Sequence, residues 1–164
     1  MRRAMISVIS LPCLLMALSC QTSRAPNPNS SNSNALDLVR RFSQALNDLD
    51  YSVYQESLSE NAVWHYRGNT HDWTPDSELA IQSDWKRAFP DHQYRIDLMF
   101  ACRDTVTVLY TYTGTHQDTI LGIPPTGNSI AVPEMAIFRI ENDLIVEQWV
   151  VFDEYLLRRQ LGAD

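Results

Sequence analysis

Two carboxylates and an indole share one side of the last strand-like segment of this chain. Along residues 145–153, Ile145, Glu147, Trp149, Val151 and Asp153 point one way and Val146, Gln148, Val150 and Phe152 the other. If the first set faces a concave surface, a carboxylate stands inside an apolar wall. Desolvation then penalises its ionised form and carries its pKa towards neutrality, which suits removal of a proton next to a carbonyl. Asp153 also directly precedes Glu154-Tyr155-Leu156-Leu157, where a side-chain oxygen would cap a final helix. The sequence leaves both roles open. Glu147 has its own alternative, an ion pair with Arg139 or Arg95 across strands.

Other familiar chemistries lack their residues. His65, His71, His92 and His116 show no HxH or HExxH spacing and there is no CxxC, so no dedicated metal site is expected. No G-x-S-x-G elbow presents a serine, and none of the 5 glycines builds a phosphate-cradling loop. No cofactor is called for. His116 ends an inward-facing strand run, and His65 lies beside Trp64 in AVWHYR, so each is a candidate for a pocket wall, with exposure in a loop (His116) or on the surface (His65) as the alternative. Trp85, Phe89, Tyr110, Tyr112 and Trp149 complete the candidate ligand-contacting set, with packing in the core as their ordinary alternative.

Helices and then strands must hold these groups. Residues 36–50 place Leu38, Phe42, Ala45, Leu46 and Leu49 at helical spacing. Thr74 is a helix cap, Pro75 suits the first helical position, and Asp76 and Glu78 suit the positive end of the dipole. Ile81, Trp85, Ala88 and Phe89 form that helix's apolar stripe before Pro90 stops it. In 93–102, Tyr94, Ile96, Leu98, Phe100 and Cys102 alternate with polar or exposed positions, which makes Cys102 a small buried side chain. In 105–116, Val106, Val108, Tyr110, Tyr112 and His116 share a face. Strands near 130–140 and 144–152 meet at Glu141-Asn142-Asp143, the short connection of an antiparallel hairpin. Residues 154–161 form a short amphipathic helix. The whole is an α+β domain, helices covering one face of a curved antiparallel sheet.

Composition narrows the partners. With 45% apolar and 20% charged residues the chain is that of a globular domain. Its net charge is -7, and setting aside Arg2, Arg3 and Arg24 leaves 10 basic against 20 acidic residues over 36–164. Such a surface repels phosphate backbones, so nucleic acid is not an expected partner. At the start, Arg2-Arg3, an apolar stretch to Leu18, and Ala17-Leu18-Ser19 before Cys20 have the layout of a secretory signal. Residues 1–19 are therefore expected to be a signal peptide and 20–35 a flexible tether rich in Asn, Ser and Pro.

Several motifs carry a resemblance. Cys20 after a small residue resembles the lipobox of bacterial lipoproteins, which implies lipidation of its thiol and a membrane-anchored location in the cell envelope. AFPDHQYRID (88–97), GTHQDTILGIPPTG (114–127) and EQWVVFDEYLLRRQLG (147–162) resemble the SnoaL-like polyketide cyclase, or ester cyclase, family of the nuclear-transport-factor-2-like superfamily. The resemblance covers residues 36–164. It implies a cone-shaped sheet whose helices close an internal pocket, and cofactor-free aldol cyclisation or isomerisation of a small apolar carbonyl compound. Its W-x-x-x-D pattern places the acid/base role on Asp153, with His116 as a second candidate. The chain has Asp118 where the family generally has Gly, and Met135-Ala136-Ile137-Phe138-Arg139 offers no evident partner for the acid. Two rival readings remain at this point: an anchored module that binds a hydrophobic small molecule unchanged, and a homodimer formed through an exposed sheet face.

Overall fold

Three tight turns set the sheet. In the computed structural model, which describes residues 28–163, β1 (Leu58–Tyr66) and β2 (Asn69–Asp72) join through Arg67 and Gly68. β3 (Gln93–Cys102) and β4 (Thr105–Thr115) join through Arg103 and Asp104, and β5 (Ser129–Glu141) and β6 (Leu144–Phe152) through Asn142 and Asp143. Asn142 and Asp143 both sit at positive φ, 51° and 62°, as a two-residue hairpin turn requires and as these side chains tolerate.

The strand order is β2-β1-β6-β5-β4-β3. Every pairing is antiparallel except β1 with β6, so the sheet is mixed rather than wholly antiparallel as expected. The exception arises because β1 enters beside the last strand of the chain, whose direction the β5–β6 hairpin has already fixed. The sheet remains open, curved around four helices: α1 (Pro28–Asp48), α2 (Tyr51–Ser57), α3 (Pro75–Ala88) and α4 (Glu154–Leu161).

α1 begins earlier than the sequence reading placed it. Residues 28–35, assigned to a tether, continue the helix, with Pro28 at the first position where its missing N–H costs nothing. The expected signal peptide, Cys20 and the first part of the tether lie outside the described residues. α1 buries Leu38, Val39, Phe42, Ala45 and Leu46 against the concave face of the sheet. α3 starts with a reciprocal cap: Thr74 Oγ1 accepts from the Ser77 N–H (3.1 Å) and Ser77 Oγ accepts from the Thr74 N–H (2.9 Å).

Two bulges alter the faces that simple alternation predicts. In β3, Ile96 pairs with Tyr110 and Leu98 already with Leu109, so Asp97 is the extra residue. Tyr94 and Ile96 face the core before it, and Met99 and Ala101 after it. Leu98 (55% exposed), Phe100 (51%) and Cys102 consequently face solvent, not the core. In β6, Ile145 pairs with Ile140 and Glu147 with Arg139, leaving Val146 as the extra residue. Ile145 is buried, and the concave face then continues through Gln148, Val150 and Phe152.

Candidate functional site

β5 sends Ile130, Val132, Glu134, Ala136 and Phe138 to the concave side. Four of these five are buried apolar residues, and the one acid among them opens onto a cavity of about 150 Å³ between the sheet, α1 and α3. Rings form most of its wall. Trp85, Tyr112 and Phe152 meet pairwise at 81°, 73° and 77°, with centroids 5.5 to 6.3 Å apart, so that three walls stand roughly perpendicular. Tyr94 adds a fourth ring 4.8 Å from Tyr112. Trp64 and Tyr66, stacked at 5.2 Å, line the side towards β1.

Among the described residues Glu134 has no hydrogen-bond or ion-pair partner. Burial pushes its pKa up to about 8, and the negative charge of Glu78 adds to the shift. At neutral pH this side chain is a carboxylic acid. Glu78, on α3, is also raised by burial, but two donors oppose that shift. Trp73 Nε1 donates to Glu78 Oε2 at 2.6 Å and Gln82 Nε2 to Oε1 at 2.9 Å. Two buried carboxyls without a cation between them cannot both ionise easily, and donors reach Glu78 but not Glu134. The helix itself arranges this, because positions 78 and 82 are one turn apart on a single face.

Further polar atoms in the wall are unsatisfied. Gln82 Oε1 and Tyr112 Oη are buried without a partner. Burial, followed by the charge of Glu134, holds the Tyr94 and Tyr112 phenols above their ordinary range, so both remain neutral donors. Arg67 lies at the rim with Leu121; its guanidinium pairs with Glu154 and sits 5.1 Å from the Tyr66 ring centre.

The residues singled out in the sequence divide around this cavity. Trp85 and Tyr112 line it. Asp153 does not: it is exposed, and its Oδ1 accepts from the Leu156 N–H at 2.8 Å as the cap of α4. That geometry places it outside the cavity, in the capping role the sequence had left open. His116 is buried but outside the cavity, with Nδ1 accepting from the Thr126 N–H at 3.2 Å and the ring stacked on Phe89 at 5.2 Å. Its neighbour Phe89 belongs to the second apolar cluster, under α4. Gly114 permits this packing, since a Cβ there would lie 2.9 Å from Phe89 Cβ. Tyr110 is buried beneath α1, its hydroxyl 2.6 Å from Ser43 Oγ.

His65 and Trp149 lie on the opposite, convex face, stacked at 5.0 Å. His65 Nε2 is 2.7 Å from Glu147 Oε1, and Arg139 Nε donates to Glu147 Oε2 at 2.8 Å, the cross-strand pair anticipated for Glu147. Glu78, Gln82, Tyr94 and Glu134 were missed. The signal for Glu134 was present: it is the sole acid in the alternating series Ile130, Val132, Ala136, Phe138. Glu78 was read only as a charge for the helix dipole.

A family model of SnoaL-like polyketide cyclases matches residues 36–161. The chain belongs to that family. No curated protein matches it in sequence. Among solved structures it is similar to TsrD from Streptomyces laurentii, at 25% identity and a TM-score of 0.72, with 80% of this chain and 97% of that one covered. It is likewise similar to AclR from Streptomyces galilaeus, described as a candidate hydroxylase, at 25% identity and a TM-score of 0.72 over 79% and 82% of the two chains. A SnoaL-like polyketide cyclase from Agrobacterium tumefaciens, 16% identical with a TM-score of 0.67 over 78% and 98%, shares the fold. The nuclear-transport-factor-2-like architecture implied by the sequence motifs is thus present, and the cyclase family supports a cyclase- or isomerase-type function and a small hydrophobic ligand.

Proposed function

We propose that this SnoaL-like protein performs cofactor-free acid/base chemistry on a small carbonyl compound, with Glu134 as the acid. The observation that carries the reading is one unpartnered carboxyl, kept protonated at neutral pH, facing an aromatic cavity. A ligand carbonyl beside Glu134 would accept its hydrogen bond. The Glu78 carboxylate would take the proton from the carbon next to that carbonyl, and the resulting enolate would close onto a second carbonyl of the same molecule. Glu134 would then protonate the new alkoxide, and Glu78 would return a proton to Glu134. One carbon–carbon bond forms and no atom is gained or lost, so neither oxidant nor metal enters the balance. Exclusion of water from the ring-lined cavity would strengthen each hydrogen bond and protect the enolate.

The test is exchange of deuterium into small enolisable ketones in heavy water, followed by NMR. Wild-type protein is expected to accelerate exchange, and Glu134→Gln, which keeps shape but not the proton, to lose the acceleration with its fold intact by circular dichroism. Equal exchange by both proteins rejects the assignment.

Two features of location and assembly belong to the same reading. Ala17-Leu18-Ser19 before Cys20 supports export and lipid attachment through Cys20, so Cys20→Ser should leave membranes for the soluble fraction; unchanged partitioning refutes it. On the convex face, Leu98, Leu109, Met135 and Val151 are direct cross-strand neighbours over four strands, and Ile137 and Trp149 form the next row. A second copy of the chain would cover these rows in a face-to-face dimer. Val151→Lys should then sediment as a monomer and wild type as a dimer, whereas a monomeric wild type overturns it.

A further inference from the structure

One polar residue of the cavity wall is left without a role by the chemistry of Glu134 and Glu78. Gln148 lies on the concave face of β6, and its neighbours there cannot serve a carboxamide. Phe138 stands directly across on β5 and Trp64 directly across on β1, with Val150 next along its own strand. The residue is only 7% exposed, lines the cavity, and has no hydrogen-bond or ion-pair partner among the described residues. Nor is it sealed. The closed-off polar atoms of this wall are Tyr112 Oη and Gln82 Oε1, whereas the Gln148 oxygen and nitrogen keep accessible surface. An amide with its donors and acceptor unused is costly to hold among rings and aliphatic side chains. Buried polar groups find partners in folded proteins, and here the partner has to come from within the cavity.

The place of that amide gives the ligand a length. Glu134 pairs across to Phe152, and Phe138, four residues further along β5, pairs across to Gln148. The two polar groups therefore stand roughly 13 Å apart along the sheet, and a hydrogen bond at each end leaves about 8 Å between the ligand's own oxygens. Trp64, Val150 and Phe152 line the cavity with them, and each keeps accessible surface. We propose that Gln148 binds a second oxygen of the substrate, a hydroxyl or carbonyl at the end remote from the carbonyl at Glu134, so that the site selects compact, uncharged molecules with an oxygen at each end and an apolar middle. This rests on the reading of the cavity as the substrate site and deepens it: Glu134 meets the reacting carbonyl, and Gln148 fixes how the molecule lies. The amide donates from Nε2 to that oxygen and, where it is a hydroxyl, also accepts at Oε1. Such a site discriminates against an analogue lacking the oxygen, because the amide is then left unpaired. The cavity volume of about 150 Å³ keeps the ligand compact.

The experiment compares 6-hydroxy-2-tetralone, a rigid ketone with a hydroxyl at its opposite end, with 2-tetralone, which lacks the hydroxyl, by isothermal titration calorimetry on the full chain. Wild-type protein should bind the hydroxy ketone at least about tenfold more tightly. Gln148→Met, of similar length but without the amide, should bind the two ketones alike. It should also melt no lower than wild type in the absence of ligand, since the amide it loses had no partner in the fold; a glutamine that served only the fold would show the reverse. Equal wild-type affinities overturn the proposal, as do a hydroxyl preference that survives in Gln148→Met and failure of the hydroxy ketone to bind. The outcome is separable from the catalytic reading. If Gln148 selects the hydroxyl while Glu134→Gln exchanges deuterium as wild type does, the second contact stands and the acid assignment falls. If Glu134→Gln loses exchange while Gln148→Met keeps the wild-type preference, the chemistry stands with a substrate that does not use Gln148.

Discussion

Two glutamates on neighbouring strands face opposite sides of the same sheet and behave as different acids. Glu147 looks outward from β6. Burial alone would raise its pKa, but hydrogen bonds from Arg139 and His65 outweigh that and lower it. Glu134 looks inward from β5, finds no donor, and is pushed the other way, to about 8. The pair separates structural from reactive carboxylates. Where partners saturate the oxygens the group is fixed as an anion; where the fold withholds partners in a water-poor space, the proton stays and can be transferred.

The contrast is broken most directly by changing its inward member. Glu134→Gln should reduce turnover at the cavity by at least about a hundredfold, the usual scale of a lost general acid, as read by ketone exchange rates. The same substitution should act on stability with a defined sign. The folded pKa lies above the ordinary carboxylate value, so the folded state binds the extra proton between roughly pH 4.5 and 8. Wild-type stability therefore falls as pH rises through that window, by up to about 1.4 kcal/mol per unit, and the loss is complete above it. Glu134→Gln should melt higher than wild type in alkaline buffer and no differently in acid, in paired thermal scans; equal alkaline melting would show that the inward carboxyl is not held neutral.

Smaller effects sharpen the outward side. Asp153→Ala should cost about 1 kcal/mol in denaturant titration, the scale of a lost helix cap, and leave exchange activity intact. Glu147→Gln should cost less than about 1 kcal/mol at neutral pH, because its partners are only partly shielded from water. The sign with pH is the reverse of that for Glu134. A lowered carboxylate stabilises above its unfolded pKa and ceases to do so on acidification, so the Glu147→Gln penalty should vanish in acid.

Much of the fold was written in periodicity. The strands from Gln93 onward, the Asn142-Asp143 turn, the Thr74-Pro75 helix start and the inward row from Val106 to Tyr112 all follow from local patterns. The site was harder to read because alternation sorts residues into two faces without saying which is concave. In β6 the apolar Ile145 made the Glu147–Trp149 side look inward, yet the bulge at Val146 reverses the faces between them. In β3 the bulge at Asp97 did the same to Leu98, Phe100 and Cys102. In β5 the segment Met135 to Arg139, where the family resemblance points for a partner acid, starts one residue past Glu134. Nothing local announces that Glu78 and Glu134 meet across the cavity, since 55 intervening residues and a crossing of the sheet bring them together.

The parallel seam between β1 and β6 bears on how the chain is assembled. Leu58 to Tyr66 can find their place only when Ile145 to Val150 have been synthesised, so the earliest strand waits for the latest. Contacts so distant along the polypeptide form slowly. Until that join is made, Trp64 and Tyr66 have no wall to complete. The ligand chamber is therefore the last part of the molecule to come into being, and a chain cut short before the final hairpin would have strands but no chamber.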